Sequence, residues 1–408
     1  MKTKNRFYRK PGFFSYTLAR IASFFVSSFV FRRRFLRNEL KDVRGPCVVI
    51  ANHQAALDFV NLIGASRRRM SFVISNSFYR SLPLRKIMDR MGVIPKQQFK
   101  TTVNDMKKMK AVIDNGEILV IYPAGLMCED GLSTPIPAAT YKFLKWLNAD
   151  VYMARTEGSY FVMPKWTSGF RPGRTYMDVY RLFDKETLAS MDPAGIRERA
   201  DPALLFDAYR EQENLRVRYA HNDDIRGLEN VLYLCPRCRR EFTMEITGTS
   251  TIRCRECGYE ETADALGFLH AANGIEPELR YASDWSTWEQ QLIREHLEKE
   301  PDYCLSAPTA IHMIDPAHNR FTEAGRGQVT LRRDGFRLEG QIRGEEISLN
   351  ISIANVPALP FSPGKRIELQ DGPTIYRCVL DDGKLAMKFI HVLKAFYQRN
   401  TAEKENLR

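Results

Sequence analysis

Short apolar runs alternate with amphipathic segments through the first half of the chain. The runs predict strands at residues 46–52, 70–76, 93–95, 117–125 and 151–156. The intervening segments carry apolar side chains at helical spacing, and they predict helices over residues 57–66, 83–92, 101–116 and 138–149. This alternation predicts an α/β domain whose active groups lie at the carboxyl ends of its strands.

An aromatic-rich apolar stretch precedes this domain and lies between two basic clusters. Its apolar face recurs at helical spacing and comprises Phe14, Leu18, Ile21, Phe25 and Phe29. The longest uncharged run, residues 21–31, is shorter than the ~20 residues that span a bilayer. We therefore expect an interfacial helix whose flanking lysines and arginines reach anionic headgroups.

Two other structures share part of this pattern, a secretory signal and a helix buried in the protein's own core. A secretory signal has the same basic start and apolar core. However, Arg20 interrupts that core, and Arg32, Arg33 and Arg34 occupy the place of a small-residue cleavage site. A helix buried in the protein's own core would show the same spacing. The basic flanks favour the membrane surface.

Length and charge narrow the class of protein. A chain of 408 residues is too long for one ordinary core and suggests two or three domains. With 44% hydrophobic and 27% charged residues, it has the composition of a folded globular protein. Residues 1–110 hold 24 Lys+Arg against 5 Asp+Glu, while the remainder has a net charge of −7. The basic end favours an anionic partner, either nucleic acid or the cytoplasmic leaflet of a membrane.

Four of the eight cysteines form two closely spaced pairs. These are Cys235, Cys238, Cys254 and Cys257, with 15 residues between the pairs. The spacing is that of a structural zinc ribbon, in which each pair supplies two thiolates from a tight knuckle. Residues 241–246 and 250–253 predict a hairpin between the knuckles, and Gly258 predicts a positive φ after the second. Two disulfides are disfavoured because no export signal accompanies them.

The other cysteines are isolated, and we predict packing roles for Cys47, Cys128, Cys304 and Cys378. Nucleic-acid binding by the ribbon is disfavoured, because residues 229–262 hold five arginines against six glutamates and so form no basic patch. Four cysteines leave zinc no open position for catalysis. The ribbon is therefore predicted to be a structural staple or a protein-contact module.

The last hundred residues have a different pattern. Residues 284–300 form a charged amphipathic helix whose tryptophans are predicted to pack. Short alternating strands separated by Gly- and Asp-containing turns follow, and a helix over residues 385–398 ends the pattern. Five or more strands closed by a helix suggest a small barrel or sandwich with the outline of a pleckstrin-homology-like (PH-like) domain. Its predicted role is lipid or protein docking, and the alternative is a β module with no ligand.

A histidine and an aspartate, His53 and Asp58, follow the buried run that ends at Ala51. On a continuous helix, side chains five residues apart point about 140° away from each other. The chain must therefore turn between the two if they act together. A histidine can accept the proton of an attacking alcohol at neutral pH, and a neighbouring carboxylate fixes its tautomer and stabilises the imidazolium. The alternative is a histidine that caps a helix and an aspartate in a solvated first turn.

Three blocks in order give residues 1 to about 190 a resemblance to the lysophosphatidic-acid acyltransferase (PlsC-like) family. The first is H-x₄-D, matched by His53 and Asp58. The second, a glycine-led strand with a basic residue, is matched loosely by MGVIPKQQF, which contains Lys96. The third has the form F-P-E-G-T-R, and residues 122–127 read YPAGLM. The resemblance implies an acyltransferase domain with a mixed sheet and flanking helices, in which His53 is the base and Asp58 its support.

The third block departs from the family pattern. In the family, its glutamate and arginine help to hold the glycerol phosphate, and Ala124 and Met127 stand at those positions here. Pro123 and Gly125 keep the turn. Lys96 is a candidate cation for the acyl acceptor, with Arg155 at the end of a later strand as the next. Either the acceptor is bound differently or the activity has been lost.

These observations predict a peripheral enzyme at the cytoplasmic face of the cell membrane. It would move an acyl group from acyl-CoA or acyl-carrier protein to the hydroxyl of a lysophospholipid, with structural Zn²⁺ in the ribbon. The rival hypothesis is a degenerate, lipid-binding membrane adaptor. Partners are membrane phospholipids, the thioester donor and a protein partner of the ribbon or β module, without nucleic acid. The predicted segments are interfacial helices (1–38), an acyltransferase domain (39–215), the ribbon (225–265), a linker helix (280–300) and the β module (305–400).

Overall fold

The chain divides into two compact units, Met1–His221 and Asn222–Arg408. The computed structural model describes residues 7–81, 85–98, 101–271, 279–315, 317 and 320–406.

A mixed sheet of seven described strands forms the centre of the first unit. The strands are β1 (Arg34–Asn38), β2 (Cys47–Ala51), β3 (Met70–Ser75), β4 (Ile94–Lys96), β5 (Ile118–Ile121), β6 (Asp150–Glu157) and β7 (Tyr176–Phe183). Their order is β1-β7-β6-β2-β5-β3-β4. The strands from β6 to β4 run parallel, whereas β7 is antiparallel to β6 and parallel to β1.

Helices flank this sheet. They are α1 (Phe13–Phe25), α2 (Asp58–Ile63), α3 (Asn76–Ser81), α4 (Arg85–Arg90), α5 (Val103–Asp114), α6 (Ala139–Leu147), α7 (Ser159–Val162), α8 (Lys185–Ser190), α9 (Pro193–Leu204) and α10 (Ala208–Leu215). Every residue of β2 is buried, which explains its unbroken apolar run. Alternate side chains of β2 enter two different core clusters, with Val48 and Ile50 in one and Cys47, Val49 and Ala51 in the other. Both faces of the sheet are therefore covered.

The predicted strands and helices of residues 46–156 are confirmed with small shifts of their ends, except that residues 83 and 84 lie outside the described residues. The prediction that interfacial helices extend to residue 38 is wrong for residues 34–38. They form β1, which pairs with β7 at the edge of the sheet. Strand β7 and the helices α3 and α7 to α10 have no counterpart among the predicted elements.

Helix α1 presents its apolar side chains outward and packs through its polar ones. The predicted apolar face is more than half exposed at each of its positions, Phe14, Leu18, Ile21, Phe25 and Phe29. On the opposite face, the hydroxyl of Ser23 donates to the carbonyl of Val60 at 2.5 Å, and that of Ser27 donates to the same carbonyl at 3.4 Å. The alternative of a helix buried in the protein's own core is therefore wrong.

The second unit contains two antiparallel sheets. The smaller has the order β11-β10-β9-β8 and consists of β8 (Met244–Thr247), β9 (Thr251–Cys254), β10 (Glu260–Ala263) and β11 (Leu269–Ala271). The larger has the order β15-β14-β13-β12-β18-β17-β16. Its strands are β12 (Leu305–Asp315), β13 (Arg320–Arg332), β14 (Gly335–Ile342), β15 (Glu345–Ser352), β16 (Phe361–Ser362), β17 (Arg366–Asp371) and β18 (Thr374–Leu380). The predicted hairpin and the mainly-β module are confirmed, whereas β10, β11, β12 and β16 are not among the predicted strands.

Two helices complete the second unit, α11 (Ala282–Lys299) and α12 (Leu385–Asn406). Helix α11 had been predicted to be a linker, and this interpretation is wrong because the helix belongs to the core of the unit. The indole nitrogen of Trp285, which is fully buried, donates to the carbonyl of Leu234 at 2.9 Å. The Oε1 of Glu289 accepts from the amide of Leu234 at 2.8 Å. Helix α11 thus holds the segment that leads into the first cysteine pair.

Candidate active site and metal centre

His53 and Asp58 meet because the chain turns between the end of β2 and the start of α2. The Nδ1 atom of His53 lies 3.1 Å from the Oδ2 atom of Asp58. Asp58 is the first residue of α2, and its side chain points back along the turn. The same Oδ2 accepts from the backbone amides of Gln54 at 2.7 Å and Ala55 at 2.8 Å. The two backbone amides of the turn therefore hold the carboxylate in place independently of its contact with the imidazole.

The surroundings differ at the two ends of this pair. Asp58 is 1% exposed, whereas the side chain of His53 is 19% exposed. With Nδ1 bound to Asp58, Nε2 of His53 forms no hydrogen bond with the described residues. The Tyr122 ring lies 4.6 Å from the imidazole ring, centroid to centroid. Burial, with a smaller effect of the Asp58 charge, raises the pKa of Tyr122 well above its usual value. Tyr122 thus stays neutral, and Nε2 is the nitrogen available to a reactant.

Two further contacts fix the strand end that carries His53. The side-chain amide of Asn52 donates through Nδ2 to the backbone carbonyl of Thr156 at 2.7 Å. The backbone amide of Thr156 donates back to Oδ1 of Asn52 at 2.7 Å. Both residues are buried. This reciprocal pair joins the carboxyl ends of the neighbouring parallel strands β2 and β6. Because His53 follows Asn52 directly, the pair also limits movement of the imidazole.

A buried network behind the histidine had not been predicted. The side chain of Gln54 donates to Glu211 at 2.8 Å, and the guanidinium of Arg155 donates to the other oxygen of Glu211 at 2.6 Å. Burial raises the pKa of Glu211 to about 7, against the opposing effect of the Arg155 charge. Glu211 belongs to α10 and lies 157 positions from Gln54, so no local sequence pattern indicates their contact.

Arg155 uses its donors within the domain. Besides Glu211, it donates to Glu157 at 3.2 Å and to the carbonyl of Ala203 at 2.8 Å. Its side chain is 22% exposed. Arg155, a residue of β6, therefore connects this strand to α9 and α10 through its hydrogen bonds. Its predicted contact with the acyl acceptor stays a prediction.

The second and third blocks lie beside each other. Gly125 has φ +71°, and its amide donates to the carbonyl of Tyr122 at 3.0 Å, so Pro123 and Gly125 form the expected tight turn. The side chain of Gln98 donates to the carbonyl of Gly125 at 2.9 Å. Lys96 ends β4, and its ammonium donates to the carbonyl of Gln97 at 3.0 Å. Burial lowers the pKa of Lys96, against the opposing charge of Asp105.

Cys128 follows the third block but lacks the character of a nucleophile. Its thiol is buried and donates to the carbonyl of Gln54 at 3.6 Å. Burial and the nearby carboxylates raise the pKa of Cys128 well above its usual value, so the thiol stays protonated. Cys47 and Cys378 are also buried, as predicted, whereas Cys304 is exposed and the packing role predicted for it is wrong.

The predicted zinc ligands converge in the second unit. The sulfur atoms of Cys235, Cys238, Cys254 and Cys257 all lie within 4.8 Å of one another. Sulfur–sulfur distances of 3.6 Å (Cys235–Cys257) and 3.7 Å (Cys238–Cys254) approach the roughly 3.8 Å edge of a tetrahedron with ~2.3 Å Zn–S bonds. The four thiolates thus fit a structural Zn²⁺ ion.

The two knuckles share one backbone conformation. Gly258 has the predicted positive φ, +67°, and its amide donates to the carbonyl of Cys254 at 3.0 Å. Arg239 occupies the matching position after the first pair with φ +58°, and its amide donates to the carbonyl of Cys235 at 2.9 Å. Each knuckle therefore closes with a residue in the left-handed region.

Comparisons with known proteins address both sites. Residues 32–164 match the acyltransferase family. Residues 228–260 match a zinc-ribbon family described as the 7 kDa subunit of DNA-directed RNA polymerase. The first match contains His53 and Asp58, and the second contains all four cysteines. The chain therefore carries an acyltransferase-family domain followed by a zinc ribbon, as the resemblance and the cysteine spacing predicted.

Two solved structures show partial likeness. The 1-acyl-sn-glycerophosphate (LPA) acyltransferase PlsC from Thermotoga maritima is 14% identical, with a TM-score of 0.40 over 49% of this chain and 78% of that chain. The Ran-binding domain of Nup2 from Ashbya gossypii is 13% identical, with a TM-score of 0.20 over 23% of this chain and 92% of that chain. The PH-like outline of the β module stays a prediction.

Proposed function

We propose that the first unit transfers a fatty acyl group from a thioester, carried by coenzyme A or an acyl-carrier protein, to the hydroxyl of a lysophospholipid. The observation that carries this proposal is the His53–Asp58 pair at the carboxyl end of β2, with Nε2 unbonded to the described residues. Acyltransferase activity as such is supported by the family match of residues 32–164. The donor, the acceptor and the role in phospholipid synthesis are the proposal.

The proposed step needs one base and no covalent enzyme intermediate. Nε2 of His53 takes the proton of the acceptor hydroxyl while that oxygen forms a bond to the thioester carbon. The carbon–sulfur bond then breaks, and the imidazolium returns the proton to the departing thiolate, so charge and atoms balance. Asp58 holds Nδ1–H and stabilises the positive charge on the ring. Direct transfer agrees with the buried, protonated state of Cys128.

The acceptor preference depends on the altered third block. Ala124 and Met127 cannot supply charge-assisted hydrogen bonds to a phosphate. Lys96 is the candidate cation, because it lies two residues before Gln98, which contacts the turn at Gly125. We expect a broadened preference, including lysolipids with a larger or less charged headgroup. In Met127→Arg, preference for lysophosphatidate should rise about tenfold or more, since one such bond contributes about 1.5–3 kcal/mol. Release of free thiol over a panel of lysolipids measures this.

Met127→Leu is the matched control, because it keeps the size and adds no charge. Lys96→Ala should weaken the binding of all phosphate-bearing acceptors. A wild type that strongly prefers lysophosphatidate, with no change in either charge variant, contradicts this interpretation of the third block.

We also propose that α1 lies in the surface of the cytoplasmic leaflet. Its residues together with the following π-helical turn (Val26–Val30) are long and apolar enough, by length and composition alone, to cross a membrane. The polar face favours an interfacial position instead, because Ser23 and Ser27 bind the carbonyl of Val60. Arg20 also donates to three backbone carbonyls of residues 66–68. The exposed aromatic face is then available to lipid.

The basic residues after α1 are not equivalent, which changes the best test. Arg33 donates to the carbonyl of Asn61 and stacks on the Phe35 ring at 4.4 Å, and burial lowers its pKa to about 10. Arg32 and Arg34 are exposed. Arg32 and Arg34 are therefore the residues for a charge-reversal test, since changing Arg33 would disturb the fold. Deleting residues 1–34 would likewise remove the buried Tyr16 and Phe31.

The double variant Arg32→Glu/Arg34→Glu should bind anionic vesicles at least ~30-fold more weakly than wild type. Each basic side chain near such a surface contributes about 1 kcal/mol. Vesicle sedimentation with phosphatidylglycerol measures this. The control Lys185→Glu/Arg197→Glu reverses two exposed charges on α8 and α9 and should retain binding. Equal losses in both variants would contradict the proposed orientation of α1.

A second candidate function is a non-catalytic membrane adaptor, favoured by the loss of both charged residues at positions 124 and 127. It predicts that no lysolipid in the panel supports thiol release. It also predicts that Ala124→Glu combined with Met127→Arg restores turnover, because the turn at Pro123 and Gly125 is intact. Turnover by the wild-type protein would reject the adaptor hypothesis.

A further inference from the structure

A cavity lined by basic side chains lies at the end of the first unit opposite His53. It has a volume of about 410 Å³, and its charged lining comprises Lys10, Arg20, Arg67, Arg68, Arg69 and Glu117. The three consecutive arginines precede β3 and Glu117 precedes β5, so the cavity lies at the amino ends of these parallel strands. His53 follows the carboxyl end of β2. Strands of five or six residues are about 16–20 Å long, so the two sites are separate.

The cavity has an excess of positive charge. Five basic side chains face one carboxylate, that of Glu117, which pairs with Lys10 at 2.7 Å and with Arg68 at 3.4 Å. Arg69 donates to the carbonyl of Pro11 at 2.8 Å, and Arg20 donates to the carbonyls of residues 66–68. Neutral carbonyls orient a guanidinium without cancelling its charge. The partner of Arg67, Asp42, is 71% exposed and Arg67 is 73% exposed, so this pair contributes little and can be exchanged for an anion.

An apolar cleft adjoins the cavity. It has a volume of about 600 Å³, shares Lys10 and Phe13 with the cavity, and is bounded by Phe14, Leu18 and Ile87, with Arg9 and Arg90 at its lining too. Phe14 is 86% exposed and Leu18 is 63% exposed. Both belong to the outward face of α1 that we place at the membrane. The cationic cavity and the apolar cleft are therefore adjacent in the way that the headgroup and the acyl chains of a lipid are adjacent.

We propose that this cavity and cleft bind one anionic phospholipid, apart from the substrates of the active site. Lys10 and Arg67 bind the phosphodiester, because they are the more exposed cations; Lys10 is 58% exposed and shares its charge between Glu117, at 2.7 Å, and the lipid. An acyl chain lies along Phe14, Leu18 and Ile87. A free phosphate uses only the polar half, and a nucleic acid has no chain for the cleft. The proposal rests on the membrane contact of α1 and on none of the chemistry at His53.

The test is native mass spectrometry of the full chain in a nonionic detergent with added dioleoyl phosphatidylglycerol. Wild type should retain one lipid per chain and should bind dioleoyl phosphatidylcholine much more weakly. Lys10→Gln/Arg67→Gln should weaken phosphatidylglycerol binding about 10–30-fold, as expected for the loss of two basic groups beside an anionic headgroup. Ile87→Asn should weaken it through the cleft, and it tests the site without changing any charge.

Lys185→Gln/Arg197→Gln removes the same charge from another face and should bind the lipid as wild type does. If lipid binding were weakened equally in this control, the proposal would be overturned, because the overall positive charge and not this cavity would then attract the lipid. Displacement of the lipid by millimolar inorganic phosphate or by an RNA oligonucleotide would reassign the cavity. Loss of the lipid in Lys96→Ala but not in Lys10→Gln/Arg67→Gln would place it in the active site. Because the assay needs neither turnover nor vesicles, its failure leaves the proposed transfer and the contact of α1 standing.

Discussion

Replacing His53 with alanine should lower the rate of acyl transfer by about 10²–10⁴-fold, the usual contribution of a general base. The variant removes the nitrogen that would take the acceptor proton. The fold should survive, because the side chain is partly exposed and Asp58 keeps its bonds to the amides of Gln54 and Ala55. Thiol release from an acyl thioester in the presence of lysolipid measures the loss. Circular dichroism and vesicle binding should match wild type.

A second histidine provides the control. Nε2 of His270 lies 3.0 Å from Oδ2 of Asp264 in the second unit, a similar pair outside the acyltransferase-family match. His270→Ala should leave acyl transfer unchanged, which would exclude a general effect of removing a histidine–aspartate contact. Full activity in His53→Ala would remove the proposed mechanism whatever the control shows.

Asp58→Asn should also slow transfer strongly, but with an additional effect on folding. The Oδ2 atom of Asp58 accepts from two backbone amides and contacts the imidazole, and an asparagine cannot supply the negative charge for all three. Thermal unfolding of this variant should therefore occur at a lower temperature than that of His53→Ala. The comparison separates the support of the imidazole from the support of the turn.

The sequence predicted those elements whose environment is uniform. Strand β2 is buried on both faces, so its residues form an unbroken apolar run. The edge strand β1 is largely exposed, and its sequence RFLRN has too many charges to stand out beside the apolar stretch before it. Strand β12 contains Pro308, which argues against a central strand. At Pro308, β12 pairs with β13, and its pairing with β18 begins only at Thr309.

The same distinction applies to the candidate site. The cysteine pairs are local, and their spacing predicted that the four sulfur atoms meet. For His53 and Asp58 the spacing left the helix-capping alternative open, and the resemblance of the three ordered blocks favoured the catalytic pair. The contact of Gln54 with Glu211 depends on the packing of α10 and has no local pattern. Arg155 had been chosen by strand order, which identifies the correct end of the sheet but cannot show that Glu211, Glu157 and backbone carbonyls already bind its guanidinium.

Removing the metal should have the largest effect on the second unit. The purified protein should hold one zinc ion per chain, and Cys235→Ser should release it. A structural zinc ion contributes about 10–16 kcal/mol to the folding of isolated finger peptides, so loss of one of four thiolates should unfold the ribbon. The effect should also reach α11, because the residue before Cys235, Leu234, is held by Trp285 and Glu289.

Trp285 supplies the measurement of that effect. Its side chain is fully buried, so its release from Leu234 should shift the tryptophan emission to longer wavelength. Cys304→Ser is the matched control, because Cys304 is exposed and lies outside the cluster, and this variant should keep both the metal and the emission. Acyl transfer should persist in part in Cys235→Ser, since the ribbon supplies no catalytic group. Protein prepared under reducing conditions that contains no zinc on metal analysis would contradict the assignment of the four cysteines.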